Sequence, residues 1–142
     1  MSFDVLDDLN WLAVIVAAFV WFALGAVWYL PKTFGTAWMR SIGWEPNPDD
    51  PNPGASMYLA PLLAYLVGSV ALGLLTKASG TDTIGEGIVL GLVVAVGLVG
   101  TILFVTAVFD PKKPHSMLWF AITWAYHLVG VMLAAVILAA WD

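Results

Sequence analysis

His127 is the side chain in this sequence best suited to proton chemistry, because histidine ordinarily changes its charge near neutral pH. It stands in a long apolar run, where Thr123, His127 and Gly130 recur at helical spacing with Tyr126 beside them. Three roles stay open for its imidazole: proton or solute passage, ligation of a cofactor, and a hydrogen bond that fixes helix packing. The expected partners of that hydrogen bond are Thr101, Ser69 or Tyr65.

A second polar stripe lies in an earlier apolar run. Tyr65, Ser69 and Thr76 follow Tyr58 at offsets of seven, eleven and eighteen residues, which return to nearly one line on a helix. We predict that this stripe points into the protein. The full set expected in a polar interior or along a path comprises His127, Tyr126, Thr123, Tyr65, Ser69, Tyr58, Thr101 and Asn10.

Four apolar runs must position these side chains. The runs Leu9–Leu30, Met57–Thr76, Ile88–Phe109 and Met117–Trp141 contain no Asp, Glu, Lys or Arg. A helix of about 20 apolar residues crosses a hydrocarbon core of about 30 Å. We therefore predict an all-α fold, an integral membrane four-helix bundle. It forms a single transmembrane domain over residues 1–142, with spans at about 9–30, 57–76, 86–109 and 116–141.

Small residues mark the faces on which these helices should pack, since lipid supplies no hydrophobic drive between helices. The third run has two such faces, one with Gly87, Gly91 and Ala95 and another with Gly97 and Gly100; Gly130 lies in the fourth run. Two faces fit either tight packing within one bundle or an additional contact in an oligomer. The short turn 78–83 predicts that the second and third helices are antiparallel neighbours.

Basic residues predict the orientation, because loops rich in Lys and Arg face the cytoplasm. One side of the membrane would hold Lys77 alone, whereas the other would hold Lys32, Arg40, Lys112 and Lys113. We predict both termini on the outer side of the cell inner (cytoplasmic) membrane, which the chain crosses several times. Aromatic residues expected to anchor the two interfaces are Trp11, Trp28, Tyr29, Trp38, Trp119 and Trp141.

The loop after the first run has two parts. Phe34, Trp38 and Ile42 stand at helical intervals, which predicts a short interfacial helix. The following segment Glu45–Gly54 contains four prolines and is expected to be extended. Its acidic and amide oxygens suggest calcium, but their spacing matches no EF-hand loop, so a solvated spacer is the preferred interpretation.

Composition argues against several classes of function. The chain has no cysteine and a net charge of −5, so thiolate metal sites and nucleic-acid partners are not expected. No metal-ligand cluster, no nucleophile beside a base and no phosphate-binding glycine loop is recognisable. His115 lies about three helical turns from His127, too far to share one haem iron. We therefore expect no catalytic activity, no metal and no cofactor.

Both ends of the chain carry motifs that resemble a known family. The opening stretch runs from Asn10 through Phe22, Gly25, Trp28-Tyr-Leu-Pro31 and Phe34-Gly35 to Trp38; the closing stretch runs from Tyr126-His-Leu-Val through Met132 to Ile137-Leu-Ala-Ala-Trp141. These are similar to an uncharacterised bacterial membrane family, domain of unknown function 1761. The sequence departs from the family pattern at Leu30, where Ser is usual, and at Thr123-Trp-Ala, where Asn-Ala-Gly is usual. The resemblance implies a small four-helix membrane protein and supplies no reaction.

Three hypotheses for function follow, all with the lipid bilayer as the surroundings. The first is a homo-oligomer that passes a small solute or ion along the two inward polar stripes. The alternative is an accessory, structural subunit that docks to a larger membrane protein complex. The third is a lipid- or pigment-binding module that uses the mid-membrane tryptophans, Trp21 and Trp124.

Overall fold

The helices of the protein are seen in a computed structural model, which describes residues 3–45, 49 and 54–141. All regular structure in that part is helical. A short 3₁₀ helix, Phe3–Asp8, is followed by α1 (Trp11–Trp28), α2 (Gly35–Ile42), α3 (Ser56–Ser79), α4 (Ile84–Phe109) and α5 (Ser116–Ala140). Four of these, α1, α3, α4 and α5, are long and apolar enough to cross a membrane, which confirms the prediction of four spanning helices.

Polar caps set where two of the spanning helices, α1 and α4, begin. The Asn10 side chain accepts a hydrogen bond from the Ala13 N–H at 3.1 Å and so starts α1. Thr83 and Glu86 form a capping box, which is why α4 starts at Ile84, ahead of the predicted residue 86. Gly80, with φ of 65°, ends α3 beyond the predicted end at residue 76.

The last helix, α5, is the centre of the fold. It packs against each of the other four α-helices, and 44% of its most apolar 18-residue stretch is buried. Small side chains let the helices approach closely, among them Ala13 and Ala17 on α1 and Ala134 on α5, all fully buried. Because α1 and α3 also pack against each other, these two helices and α5 form the interior of the protein.

The expectation that the second and third helices are neighbours is wrong. After the short turn, α4 packs on α5 and makes little contact with α3. The reason lies in two glycines. A Cβ on Gly91 would lie 2.8 Å from the Met132 Cα, and one on Gly87 would lie 3.0 Å from the Val136 Cα. Without side chains at these positions, the α4 backbone rests directly on α5.

The middle of α4 is a π-helix over Val93–Gly100, which no sequence pattern indicated. Its wider turn presents the Ala95 carbonyl to the Trp124 side chain, whose indole N–H donates a hydrogen bond at 3.2 Å. A Cβ on Gly100 would lie 2.6 Å from that indole nitrogen. Irregular turns of this kind are frequent at functional sites, and here the turn accommodates Trp124.

The predicted short helix after α1 is present as α2, and it is docked on the protein. Ser41 is fully buried, and its carbonyl accepts a hydrogen bond from the His115 N–H at 3.1 Å, just before α5 starts. The Thr33 hydroxyl bonds the Val27 and Trp28 carbonyls at 2.7 Å and so closes the turn from α1 into α2. The segment 45–54, which was predicted to be an extended, solvated spacer and not a calcium site, lies mostly outside the described residues.

Candidate functional site

Four aromatic rings meet where α1, α3 and α5 converge. Trp21 of α1 stacks on Tyr65 of α3, with ring centroids 4.8 Å apart and planes inclined by 17°. His127 of α5 touches Trp21 edge-on at 5.8 Å and lies 4.9 Å from the neighbouring Tyr126 ring. We call Trp21, Tyr65, Tyr126 and His127 the aromatic cluster. It links the three interior helices through ring contacts.

Glycines make room for the cluster. A Cβ on Gly130 would lie 2.2 Å from the Trp21 indole nitrogen, and one on Gly68 would lie 3.2 Å from the same ring. Trp21 therefore fits into recesses on α3 and α5. Its indole N–H is buried and has no hydrogen-bond partner among the described residues, so packing and stacking alone hold the ring.

A cavity of about 360 Å³ opens beside the cluster, between α1 and α3. The rim includes Met57 and Tyr58, which are 48% and 55% exposed, so the cavity communicates with the outside of the bundle. Trp38 of α2 and Tyr126 of α5 complete its walls. The ten described lining residues include no charged side chain; they are Phe22, Gly25, Ala26, Tyr29, Trp38, Met57, Tyr58, Pro61, Tyr65 and Tyr126.

Neighbouring rings around this cavity are strongly inclined to one another. The planes of Tyr29 and Trp38 meet at 68° with centroids 5.4 Å apart. Those of Tyr29 and Tyr126 meet at 59°, and those of Tyr65 and Tyr126 at 61°. In such inclined pairs the edge of one ring contacts the face of the other, an arrangement that aromatic side chains favour.

The tyrosine hydroxyls deep in the site are directed at other protein groups. The Tyr126 hydroxyl donates to the Trp21 carbonyl at 2.9 Å. The Tyr65 hydroxyl interacts with that of Tyr126, and the Tyr29 hydroxyl lies toward that of Thr123. The Thr123 contact lacks normal hydrogen-bond geometry, since its oxygen has no partner among the described residues. The surface of the cavity is therefore mostly carbon.

The predicted polar interior is only partly assembled. Ser69 and Thr76 are buried, and the Thr76 hydroxyl donates to the Leu72 carbonyl at 2.8 Å. The inward placement of Tyr58 and Thr101 is wrong: Tyr58 is at the cavity rim, and Thr101 is exposed on α4. The Thr101 hydroxyl bonds the Gly97 and Leu98 carbonyls at 2.9 Å, so it needs no inward partner. Asn10 is exposed at the end of the bundle.

The predicted hydrogen bonds from His127 to Thr101 or Ser69 are also wrong. Thr101 lies on the outer face of α4, and the Ser69 hydroxyl has no partner among the described residues. Of the three expected partners, Tyr65 alone is near, as a ring contact at 6.3 Å. His127 is therefore placed behind the cavity wall and does not line the cavity.

The small residues and the aromatic anchors serve several separate contacts. No described atom lies within 4 Å of a Cβ built on Gly97, so the second α4 face has no neighbour within the protomer there. Ala95 is fully buried on α4.

The predicted aromatic anchors lie in different surroundings. Trp11 and Trp141 are about half exposed at one end, whereas Trp119 lies under the Lys113 ammonium at 4.4 Å. Trp28, Tyr29 and Trp38 are partly buried and belong to the network of ring contacts.

Several lining residues could not be recognised from sequence. Phe22, Ala26 and Met57 lie in apolar runs that give no sign of a cavity. Pro61 carries one available signal, because it has no N–H to donate to the carbonyl four residues earlier in α3. Within the described part of the chain, no three His, Asp or Glu side chains come together as a metal site would require.

Comparison with known proteins identifies the family. The sequence profile of a family described as a protein of unknown function (DUF1761) matches residues 12–139, so the chain belongs to this family. Searches of the curated proteins and of the solved structures gave no significant match.

Proposed function

We propose that this member of the DUF1761 family binds one lipid-like amphiphile in the cavity between α1 and α3 and catalyses no reaction. The observation that carries the proposal is the lining of the cavity, which is aromatic and aliphatic throughout its ten described residues. Sites for small ligands are concave, mostly apolar and about 300–1,000 Å³ in volume. A cavity of about 360 Å³ falls at the lower end of that range, which suits a head group with a short length of tail.

The level of the cavity along the bundle fits an amphiphile. Tyr29 follows the last residue of α1, and Met57 and Tyr58 lie in the first turn of α3, so the cavity is near one end of these spanning helices. That level is the boundary between hydrocarbon and head groups, where lipids and aromatic side chains both place their polar ends. Because Lys32 and Arg40 lie at this end, we assign it to the cytoplasmic side.

A pair of variants on one helix tests the proposal. Ala23 and Ala26 are both exposed on α1, but of the two only Ala26 lines the cavity. Ala26→Trp fills the cavity, so protein purified in mild detergent should lose its co-purifying amphiphile in native mass spectrometry. Ala23→Trp should keep it at the wild-type level. Equal occupancy in both variants, or none in the wild type, argues against the proposal.

The exposed surface of α4 favours a second candidate function, association with another membrane protein. Only 17% of its most apolar 18-residue stretch is buried, and a Cβ on Gly97 would meet no described atom within 4 Å. Such a face suits close packing against a second copy of the chain or a larger complex. Gly97→Leu would then dissociate the assembly in native mass spectrometry. Passage of a solute has less support, because Tyr58 and Thr101 do not share a lumen with Ser69 and Thr76.

A further inference from the structure

Most of the residues that line the cavity are aromatic. Six of the ten described lining residues are Phe22, Tyr29, Trp38, Tyr58, Tyr65 and Tyr126. Neighbouring rings are inclined by 59° to 68°, so the rings that line the cavity lie in several different planes. The face of an aromatic ring carries partial negative charge and attracts a cation within about 6 Å of its centroid. A cavity lined by such rings is therefore suited to a positive group.

The hydrogen-bonding groups of these rings point to the same kind of ligand. Tyr126 donates its hydroxyl proton to the Trp21 carbonyl, and the Tyr65 hydroxyl interacts with that of Tyr126. The Tyr29 hydroxyl is directed at Thr123 on α5. The Tyr126 hydroxyl is bonded within the protein, and those of Tyr65 and Tyr29 are directed at protein groups, so a head group that needs several hydrogen bonds finds few partners deep in the cavity.

The absence of charged side chains from the described lining narrows the choice of head group further. The described lining contains no Lys or Arg to pair with an anionic head group and no Asp or Glu to accept from a primary ammonium. A quaternary ammonium has no N–H, so its entry leaves no donor unsatisfied. Its methyl groups suit ring faces, and its spread charge is attracted by them.

We infer that the cavity recognises a trimethylammonium head group carried on an alkyl chain. This inference rests on the proposed function, since it names the class of amphiphile that the same cavity takes. The Tyr58 ring at the rim and the Tyr29, Trp38 and Tyr126 rings surround the head group, while the tail leaves past Met57 toward the lipid. Such a head group is found on free lipophilic cations and on zwitterionic choline lipids.

A series of probes with one tail and different heads tests this inference. Decyltrimethylammonium, its neutral isostere with a quaternary carbon in place of nitrogen, decyl sulfate and decylphosphocholine are titrated against the full-length protein in maltoside micelles. Binding to Ala26→Trp measures partition into the micelle and is subtracted. We expect the cation to bind at least about tenfold more tightly than its neutral isostere, the gain typical of a desolvated cation–π contact. Decyl sulfate should bind most weakly.

The outcomes separate the two proposals. If the neutral isostere or decyl sulfate binds as tightly as the cation, the inference is overturned and the amphiphile site stands. If no probe binds the wild type above Ala26→Trp, the proposed function fails as well. Decylphosphocholine within about threefold of the cation identifies a choline lipid as the source, and weaker binding identifies a free cation; both support the trimethylammonium head.

A matched pair of rim variants checks that the ring itself is responsible. Tyr58 is 55% exposed, so its replacement is not expected to disturb folding. Tyr58→Phe keeps an aromatic face and should retain the preference for the cation over the isostere. Tyr58→Leu should reduce that preference, measured as the ratio of the two affinities, by about threefold or more. Equal preference in the two variants contradicts a cation–π role for this ring.

Discussion

The Tyr126 hydroxyl donates a hydrogen bond of 2.9 Å to the backbone carbonyl of Trp21, and it thereby joins α5 to α1 inside the bundle. This carbonyl is also in place to accept the N–H of Gly25 within the helix. Gly25 makes the approach possible, because a Cβ there would lie 3.0 Å from the hydroxyl oxygen. One missing side chain therefore permits the contact that orients Tyr126 toward the cavity.

Removing that hydroxyl should cost little free energy of unfolding. In Tyr126→Phe the Trp21 carbonyl keeps its partner within the helix, so the loss should be about 0.5–1 kcal/mol. Unfolding in mixed micelles measures the change, with Tyr58→Phe as the control because Tyr58 is at the exposed rim. A loss of more than about 3 kcal/mol would contradict this, because it would mean that the hydroxyl contributes more than its contacts with the Trp21 carbonyl and the Tyr65 hydroxyl account for.

Gly130→Ala should strongly destabilise the protein. The added methyl group would lie 2.2 Å from the Trp21 indole nitrogen, so the ring or the helix must move. Overpacking of this kind costs about 1–3 kcal/mol. The companion change Gly97→Ala meets no described atom within 4 Å and should be neutral or slightly stabilising, since Ala favours a helix.

The Gly130 prediction has an internal check. In Trp21→Leu the ring is absent, so a further Gly130→Ala change should cost much less than it does in the wild type. A double-mutant cycle with strictly additive free energies of unfolding would contradict the contact.

Asn10 has two separable roles. Its oxygen accepts from the Ala13 N–H, and its amide donates to the Trp141 carbonyl at 2.7 Å, which connects the two ends of the described chain. Asn10→Ala removes both contacts and should lower the free energy of unfolding by about 1–2 kcal/mol, whereas Asn10→Asp keeps the helix cap. Amide exchange at Ala13 should rise in the first variant alone, and equal protection in both would contradict the cap.

Asp110 should make the turn between α4 and α5 sensitive to acid. A hydrogen bond from the Lys113 ammonium, with a further one from the Lys112 N–H, holds the pKa of this carboxyl below its ordinary value of 3.8. A carboxyl with a lowered pKa stabilises the folded state above the ordinary value and loses that contribution as the pH falls through the lowered one. Unfolding of Asp110→Asn compared with wild type should show a difference at pH 6 that shrinks below pH 3.8.

The control for Asp110 is Asp7→Asn, which removes the same charge before α1, at the other end of the bundle. A difference between Asp110→Asn and the wild type that stays constant down to pH 3 would contradict the ion pair.

His127 should be replaceable by an aromatic ring. Its described contacts are ring contacts with Trp21, Tyr65 and Tyr126, and it does not line the cavity. His127→Phe should therefore retain the bound amphiphile, whereas His127→Ala leaves a space beside Trp21 and should be destabilised by about 2–4 kcal/mol. Loss of the amphiphile from a folded His127→Phe protein would indicate a role for the imidazole itself.

The spanning helices could be predicted from sequence because their signal is local. Twenty uncharged apolar residues have few alternatives to a helix in a bilayer, and the spacing of Phe34, Trp38 and Ile42 likewise indicated α2. It is harder to predict from sequence whether a polar residue on such a helix faces the interior of the protein or its outside. Thr101 and Thr106 each bond a carbonyl of the preceding turn, so their hydroxyls are satisfied while they face outward.

The cavity and the placement of α4 depend on contacts between distant residues. Gly87 and Gly91 dock on α5 residues that lie 49 and 41 positions later in the chain, which no spacing rule reveals. The cavity is a space left between Ala26, Pro61 and the surrounding rings. Taken alone, each of these residues is typical of an ordinary apolar helix. Sequence therefore indicated tyrosines and tryptophans of interest without indicating the space that they enclose.

The most direct measurement is to locate an amphiphile on the protein. A decyl probe with a photoreactive diazirine next to its head group is cross-linked to the protein in a bilayer, and the labelled residues are identified by mass spectrometry. The account predicts labels on Met57, Tyr58 and Pro61 that disappear in Ala26→Trp. Labels spread along the exposed face of α4, at Val93, Val96 and Phe104, with no preference for the cavity, would contradict it.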